Sequence, residues 1–181
     1  AGYASFTFSV RDPGGQFDLT PNTLTINVTA VNDAPVGSGS ATLGAVAEDA
    51  ANPAGATVSA LFGANYSDAA DGAGATALAG VAIVGNAATA AQGVWQYSPD
   101  GLAWTTIGVA LSDAAALTLP ATHLVRFLPA ADFNGVPGAL SVRLADGSAG
   151  AIGVAGGVNL AGSIGGTGHW SAITVALGTT L

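Results

Sequence analysis

The sequence predicts an all-β protein, a sandwich of many short strands, and three observations carry that expectation. Apolar and polar residues alternate strictly in Ser5-Phe6-Thr7-Phe8-Ser9-Val10 and again in Leu24-Thr25-Ile26-Asn27-Val28-Thr29-Ala30, the period of a half-buried strand. Turn signals recur at Asp12-Pro13-Gly14-Gly15, Asn52-Pro53, Asp71-Gly72, Pro99-Asp100-Gly101 and Asn134-Gly135. No segment joins a helical period to caps: Ala69 to Ala79 is rich in Ala, but Gly72, Gly74 and the adjoining Gly80 argue against a helix. Short strands separated by Gly and Pro turns point to a β-sandwich.

The elements follow in order. The two opening strands, 5–10 and 24–30, cannot bury a core alone. Residues 1 to about 34 therefore read as the tail of one domain, or as strands that dock on another. Asn32-Asp33-Ala34-Pro35 closes the second strand and Gly37-Ser38-Gly39-Ser40 follows, the composition of a linker. This divides the chain into 1–36 and 37–181. Strands are then expected at 42–47, 56–62, 79–84, 93–98, 102–109, 115–119, 123–128, 139–145 and 171–177.

An internal repeat links the two parts. Phe6-Thr7-Phe8-Ser9-Val10-Arg11-Asp12 aligns with Leu140-Ser141-Val142-Arg143-Leu144-Ala145-Asp146, and Ile26-Asn27-Val28 aligns with Ile173-Thr174-Val175. The second copy has the longer intervening loop, through the Gly-rich stretch 147–168. The opening segment thus resembles the last two strands of the domain after it, the pattern of a tandem β array. With neither a starting Met nor a signal peptide, the sequence reads as an excerpt of something longer.

Composition narrows the function. Half of the 181 residues are apolar and 8% are charged, with eleven Asp and Glu against Arg11, Arg126 and Arg143, for a net charge of −8. Nucleic acid demands a basic face and is excluded as a partner, and an anionic membrane surface fits no better. No apolar run of about eighteen residues is free of Gly and polar breaks, so membrane insertion is not expected. Zero Cys removes disulfides, thiol catalysis and Cys-ligated zinc. A chain this acidic gains from a counter-ion that takes oxygen ligands only, and calcium is the one abundant outside cells. Catalysis fits poorly: His123 and His169 are the only imidazoles, neither G-x-S-x-G nor H-E-x-x-H occurs, and most acids lie in Gly-rich turns or beside the linker. The protein is read as not an enzyme.

Several stretches resemble the cadherin-like or bacterial Ig-like tandem repeats of very large secreted adhesins, including the RTX type. Thr25-Ile26-Asn27-Val28-Thr29-Ala30-Val31-Asn32-Asp33-Ala34-Pro35 resembles the family's repeat ending, a strand followed by V-N-D-A-P. Phe127-Leu128-Pro129-Ala130-Ala131-Asp132-Phe133-Asn134-Gly135 is similar to its F-x-P-x-x-D-F-N-G segment, and Ala47-Glu48-Asp49 to the acidic pair near a repeat start. The resemblance implies a Greek-key, Ig-like or cadherin-like sandwich over 37–181, enlarged at 86–120, preceded by the last two strands of the previous repeat. It implies a place outside the cell or on the bacterial surface, neighbouring repeats of the same polypeptide as partners, and a cell-surface glycan or protein as a further one.

Two metal sites are expected. In a seven-strand Ig-like order, the loop after the sixth strand lies at the pole where the chain enters. Asp146 belongs there, with Asp68 and Asp71 in a second loop and Asn32 and Asp33 arriving from the linker. Loop carboxylates and carbonyls of this kind supply the six to eight oxygens calcium wants. Cadherins use the same places, with a D-x-D loop where this chain has Asp68-Ala69-Ala70-Asp71. At the other pole Glu48 and Asp49 meet Asp132 and Asn134, and Thr179-Thr180 stand where a next Asn-Asp linker would begin. The plain alternative at both poles is that Asp71-Gly72, Asp146-Gly147 and Asn134-Gly135 are ordinary turns. Asp33 and Asp146 are expected in loops outside the core, so that Ala at either would leave the sandwich folded. Asp113 lies away from both poles.

Trp95, Tyr97 and Trp104 raise a second function. Trp95 and Tyr97 share a strand face, and the turn at Pro99-Asp100-Gly101 is expected to bring Trp104 back toward them. Exposed, the three would make a platform for a carbohydrate ring or a peptide; buried, they would cap the core.

Overall fold

A computed structural model describes residues 3–181. The chain divides into two compact units, the first ending at Val31 and the second running from Asn32 to Leu181. The linker residues 32–36 thus belong with the second unit, where Ala34 N donates to Gly166 O.

In the first unit, β1 (Ala4–Phe8) and β2 (Asn22–Ile26) form an antiparallel hairpin with Phe6 opposite Leu24 and Ala4 opposite Ile26. Strand alternation sets Phe6, Phe8, Leu24 and Ile26 on one face, and all four are exposed. The aligned strands of the second unit pair differently. There Leu140 faces Leu177, whose counterpart by the repeat is Ala30, whereas Phe6 faces Leu24, six residues earlier (24 against 30). An even shift keeps the apolar face intact, so the hydrophobic pattern does not choose between the two registers.

The second unit continues with β3 (Val36–Gly37), β4 (Ser40–Thr42), β5 (Ala56–Thr57), α1 (Val58–Phe62), β6 (Tyr66–Ser67), β7 (Gly80–Asn86) and β8 (Gly93–Ser98). It ends with β9 (Thr105–Thr106), β10 (Ala116–Pro120), β11 (Leu124–Pro129), β12 (Leu140–Ala145), β13 (Ala155–Val158) and β14 (Val175–Gly178). One sheet has the order β13-β10-β7-β12-β14-β4, a second β5-β11-β8-β9, and β3 pairs with β6. Only β14 with β4 is parallel among these pairings. Alternation along β7 and β12 sends Val81, Ile83, Leu140, Val142 and Leu144 inward, where they join Trp95, Val125 and Phe127 of the second sheet in one apolar core. The all-β expectation holds, with the two sheets layered over a shared interior.

Five segments differ from the sequence expectation. Residues 56–62 are not one strand: Val58, Leu61 and Phe62 are buried at helical spacing, and Thr57 Oγ1 caps the turn by accepting from Ala60 N at 3.2 Å. The alternation of Ala56, Val58, Ala60 and Phe62 suits a strand equally, and the cap breaks the tie. The stretch 147–168 is not merely a loop. It contributes β13, whose pairing with β10 shifts register beside Gly157 at φ 72°, and it carries Ile152, Val158, Leu160 and Ile164. These pack on Ala82, Ala116 and Ala145, so the segment covers the outer face of the six-stranded sheet. Residues 102–109 keep only β9, the strand expected at 42–47 lies instead at 40–42 as β4, and the one expected at 171–177 begins only at Val175 as β14. The Ala-rich 69–74 winds as 3-10 turns broken at Gly72, whose φ of 53° favours glycine. Among the described residues no helix is long and apolar enough to cross a membrane.

Arg143, on the outward face of β12, grips Asp113 through Nε at 2.6 Å and Nη2 at 2.9 Å, and donates Nη1 to the carbonyls of Ser171 and Ala172. This hydrogen bonding holds the Asp113 carboxyl below its usual range. A depressed carboxyl gives stability that is fully present above its unfolded value, about 3.9, and is lost progressively as pH falls on through the lowered folded value. Asp113 is 47% exposed, which limits the effect to about 1 kcal/mol or less. Urea unfolding at pH 7 and pH 3 should therefore find Asp113→Asn slightly weaker than the parent at pH 7 and the deficit smaller at pH 3; an equal deficit at both would contradict the linkage.

Candidate functional site

The two ends of β12 collect the acids, because one end adjoins the incoming chain and the other the outgoing one. Asp146 follows β12 directly and is wholly buried. Its Oδ1 accepts from Ser148 N at 2.8 Å and from the Ser148 hydroxyl, and its Oδ2 accepts from Asn32 Nδ2 at 3.3 Å. Asn32 Nδ2 also donates to Gly168 O at 3.1 Å. Asp71 Oδ1 accepts from the Asp33 backbone N at 2.6 Å. Asp68, 6% exposed, accepts from Thr76 N (2.7 Å) and Thr76 Oγ1 (3.2 Å) through Oδ2, and Thr76 Oγ1 in turn accepts from Gly147 N at 2.8 Å.

Asp68 Oδ1 is buried without a hydrogen-bond partner. A buried carboxylate oxygen left this way is expensive, and each such atom in a native structure calls for a reason. Nearby, burial pushes the Tyr66 phenol up to about 12; a hydrogen bond with Thr76 opposes this, and the charges of Asp68 and Asp146 add to it. The structure gathers Asn32, Asp33, Asp68, Asp71 and Asp146 into one hydrogen-bonded neighbourhood. Asp68, Asp71 and Asp146 do not, however, bring three carboxylate oxygens within 4.8 Å of one another.

At the other end of β12 the chain's last residue joins the loop before the strand, with Leu181 N donating to Gly135 O at 2.9 Å. Glu48, Asp49 and Asp132 are exposed, and each offers an oxygen within 4.8 Å of the others, the one such acidic group among the described residues. The Asp132 backbone N donates to Asp49 Oδ1 at 2.9 Å. Asp49 and Asp132 both sit at φ 60°, a left-handed conformation that Asp tolerates better than most residues. Asn134 lies exposed two residues beyond Asp132.

Two expectations need correction. Asp146 is not outside the core, and Ala there would strip Ser148 N, the Ser148 hydroxyl and Asn32 Nδ2 of their acceptor. The three aromatics also form no common platform. Trp95 is wholly buried, donates Nε1 to Gly138 O at 2.9 Å, and meets Phe127 edge-on at 5.2 Å. Tyr97 is half-buried against the same core. Tyr97 pairs with Thr105, so Trp104 one residue earlier stands on the opposite face. There the Arg126 guanidinium lies 4.0 Å from its ring centroid.

Sequence reasoning missed Thr76, which ties the Asp68 loop to Gly147 and sits unmarked in an Ala-rich run. It also missed Arg126, although the outward register of one of only three cations was a usable signal. Comparison with family models, with curated proteins and with solved structures finds no match.

Proposed function

We propose that the chain is an extracellular structural repeat of a bacterial adhesin or surface protein, extended and stiffened by calcium at the junctions between repeats. The observation that carries this reading is the buried, unpartnered Oδ1 of Asp68, in a loop that Thr76 ties to Gly147 next to the buried Asp146, while the arriving Asn32 donates to Asp146 and the Asp33 backbone N to Asp71. The donor set is all oxygen and carries surplus negative charge, which suits a hard divalent cation. Asp68, Asp71, Asp146, Asn32 and Asp33 would hold it at the entry end, and Glu48, Asp49, Asp132 and Asn134 at the exit end. Calcium supplies charge neutralisation there. The chain's own residues do the rest: Thr76 and Ser148 fix the carboxylates, and Asn32 and Asp33 tie the start of the second unit to them.

Strand order supports an Ig-like, Greek-key description of the second unit. Its neighbours β5-β11-β8 and β7-β12-β14 match the B-E-D and C-F-G orders of such sandwiches. The exposed apolar face of the β1–β2 hairpin supports the reading of the first unit, which ends at Val31, as the end of a preceding repeat, since the aligned residues Leu140, Val142 and Leu144 are core. The proposed role is mechanical, with no catalytic step.

Calorimetric titration of calcium into the chain tests the metal part. Binding at about 10⁻⁴ to 10⁻³ M is expected, as in other extracellular modules; no heat up to about ten times that range removes it. Amide exchange tests the hairpin. A two-stranded ribbon with an uncovered apolar face is marginal in water, so Thr7 and Thr25 should exchange orders of magnitude faster than Val81 and Val142 and slow once the preceding strands are fused on. Equal protection in both chains would mean that the hairpin needs no covering sheet.

A further inference from the structure

Arg126 is a buried cation without an acid. It is 6% exposed, and among the described residues the one ion pair is that of Arg143 with Asp113. Instead its Nε donates to Gln96 Oε1 at 2.9 Å, and its Nη1 to Asn52 Oδ1 at 2.6 Å and Pro53 O at 3.2 Å. Trp104 covers one side of the guanidinium. These neutral partners use three of the five N–H groups and leave both on Nη2 without an acceptor among the described residues. An interior charge met only by neutral groups is costly, and native proteins ordinarily supply a counter-charge.

The same residues line a cleft of about 310 Å³ on the outer face of the four-stranded sheet, bounded by Asn52, Pro53, Gly55, Gly101, Trp104 and Arg126. Its side-chain polar groups left over are donors: Arg126 Nη2, and Asn52 Nδ2, whose carbonyl oxygen is already taken by Arg126. The backbone of Gly101 is satisfied by Ser98 Oγ and Trp104 Nε1. The cleft is tight around the indole, for a Cβ at Gly55 would come within 2.6 Å of the Trp104 ring. A volume at the low end of ligand pockets admits one ring rather than a chain.

We infer that this cleft is an anion-recognising subsite, taking a single sugar ring that carries a carboxylate, the chemistry of a uronic acid. The carboxylate meets Arg126 Nη2 and Asn52 Nδ2 in a charge-assisted contact, and the ring lies along Trp104. Such a contact supplies the counter-charge that the fold omits. It needs neither metal cluster, since Arg126 and Trp104 belong to the sheet face and not to the ends of β12.

The test is a titration of the whole chain in chelator, followed by NMR shifts of the Trp104 indole and Arg126 side-chain resonances. Glucuronate is expected to bind at least tenfold more tightly than glucose, which lacks the charge, and than acetate, which lacks the ring. Asn52→Asp, which sets an internal carboxylate against the guanidinium without disturbing a core position, should weaken glucuronate at least tenfold while near-ultraviolet circular dichroism stays unchanged. Glucuronate binding no better than glucose, acetate matching glucuronate, or a folded Asn52→Asp variant that binds as the parent does would each overturn the assignment. Because calcium is absent throughout, failure here leaves the junction reading untouched.

Discussion

Trp95→Ala is expected to lower the unfolding free energy by about 3–5 kcal/mol, the range for deleting a large aromatic from a packed core. Three losses combine. The indole is wholly buried, so its removal opens a cavity between the two sheets. The edge-on contact with Phe127 disappears, worth about 0.5–1.5 kcal/mol beyond the buried area. Gly138 O loses its donor. That last contact depends on glycine, because a Cβ at position 138 would fall 2.1 Å from the carbonyl of Ala87. Against a total of about 5–15 kcal/mol for a domain, the variant should be marginal, with a urea midpoint far below the parent's. Trp95→Phe, which keeps a ring but not the donor, should lose about half as much. Trp104→Ala, half-buried on the other face, should rank below Trp95→Ala. If the two Trp→Ala variants lose stability equally, Trp95 is not the centre of the core, and its return as part of a ligand platform would have to be considered.

What the sequence made legible was decided by period and chemistry, not by distance along the chain. Leu140–Ala145 was readable because Leu140, Val142 and Leu144 alternate with Ser141 and Arg143, and Gly93–Ser98 because Trp95 and Tyr97 share a face ahead of the Pro99-Asp100-Gly101 turn. Thr57 and its helix were hidden because a seven-residue run fits periods of 2 and 3.6 alike, and only the cap decides. The Gly-rich 147–168 hid a covering strand because its partners on the sheet, Ala82, Ala116 and Ala145, are small and carry little hydrophobic signal. At the site, which residues meet was legible: linker, loop and strand-end acids do assemble at the two ends of β12. Their burial was not. That Asp146 is interior follows from the Gly-rich segment and Asn32 folding over it, long-range events with no local trace.

Calcium should raise the melting temperature, and the entry-end carboxylates make a prediction with two opposed signs. A ligand that binds only the native state adds RT ln(1 + [L]/Kd), so 10 mM calcium at a Kd of about 10⁻⁴ to 10⁻³ M gives roughly 1.4–2.7 kcal/mol per site. For a domain of this size that is roughly 3–10 °C, reversed by chelator and smaller with magnesium, which resists giving up its waters. Asp68→Asn is the sharper variant than any at Asp146. An Asn there retains an oxygen for Thr76 N, and it removes the charge whose Oδ1 has no partner. In chelator Asp68→Asn should therefore be as stable as the parent or more so, because an uncompensated buried charge is gone. In calcium it should lose the entry-end share of the gain. Asp132→Asn should behave alike at the exit end, where it relieves repulsion within the Glu48, Asp49 and Asp132 group, and the two effects should add because the sites are separated by the length of β12. Asp113→Asn, remote from both ends, should keep the full calcium gain whatever its basal stability. An Asp68→Asn protein that is weaker in chelator and gains as much from calcium as the parent would reduce Asp68 to a turn-holding acceptor for Thr76, and the junction would then owe its order to hydrogen bonds alone.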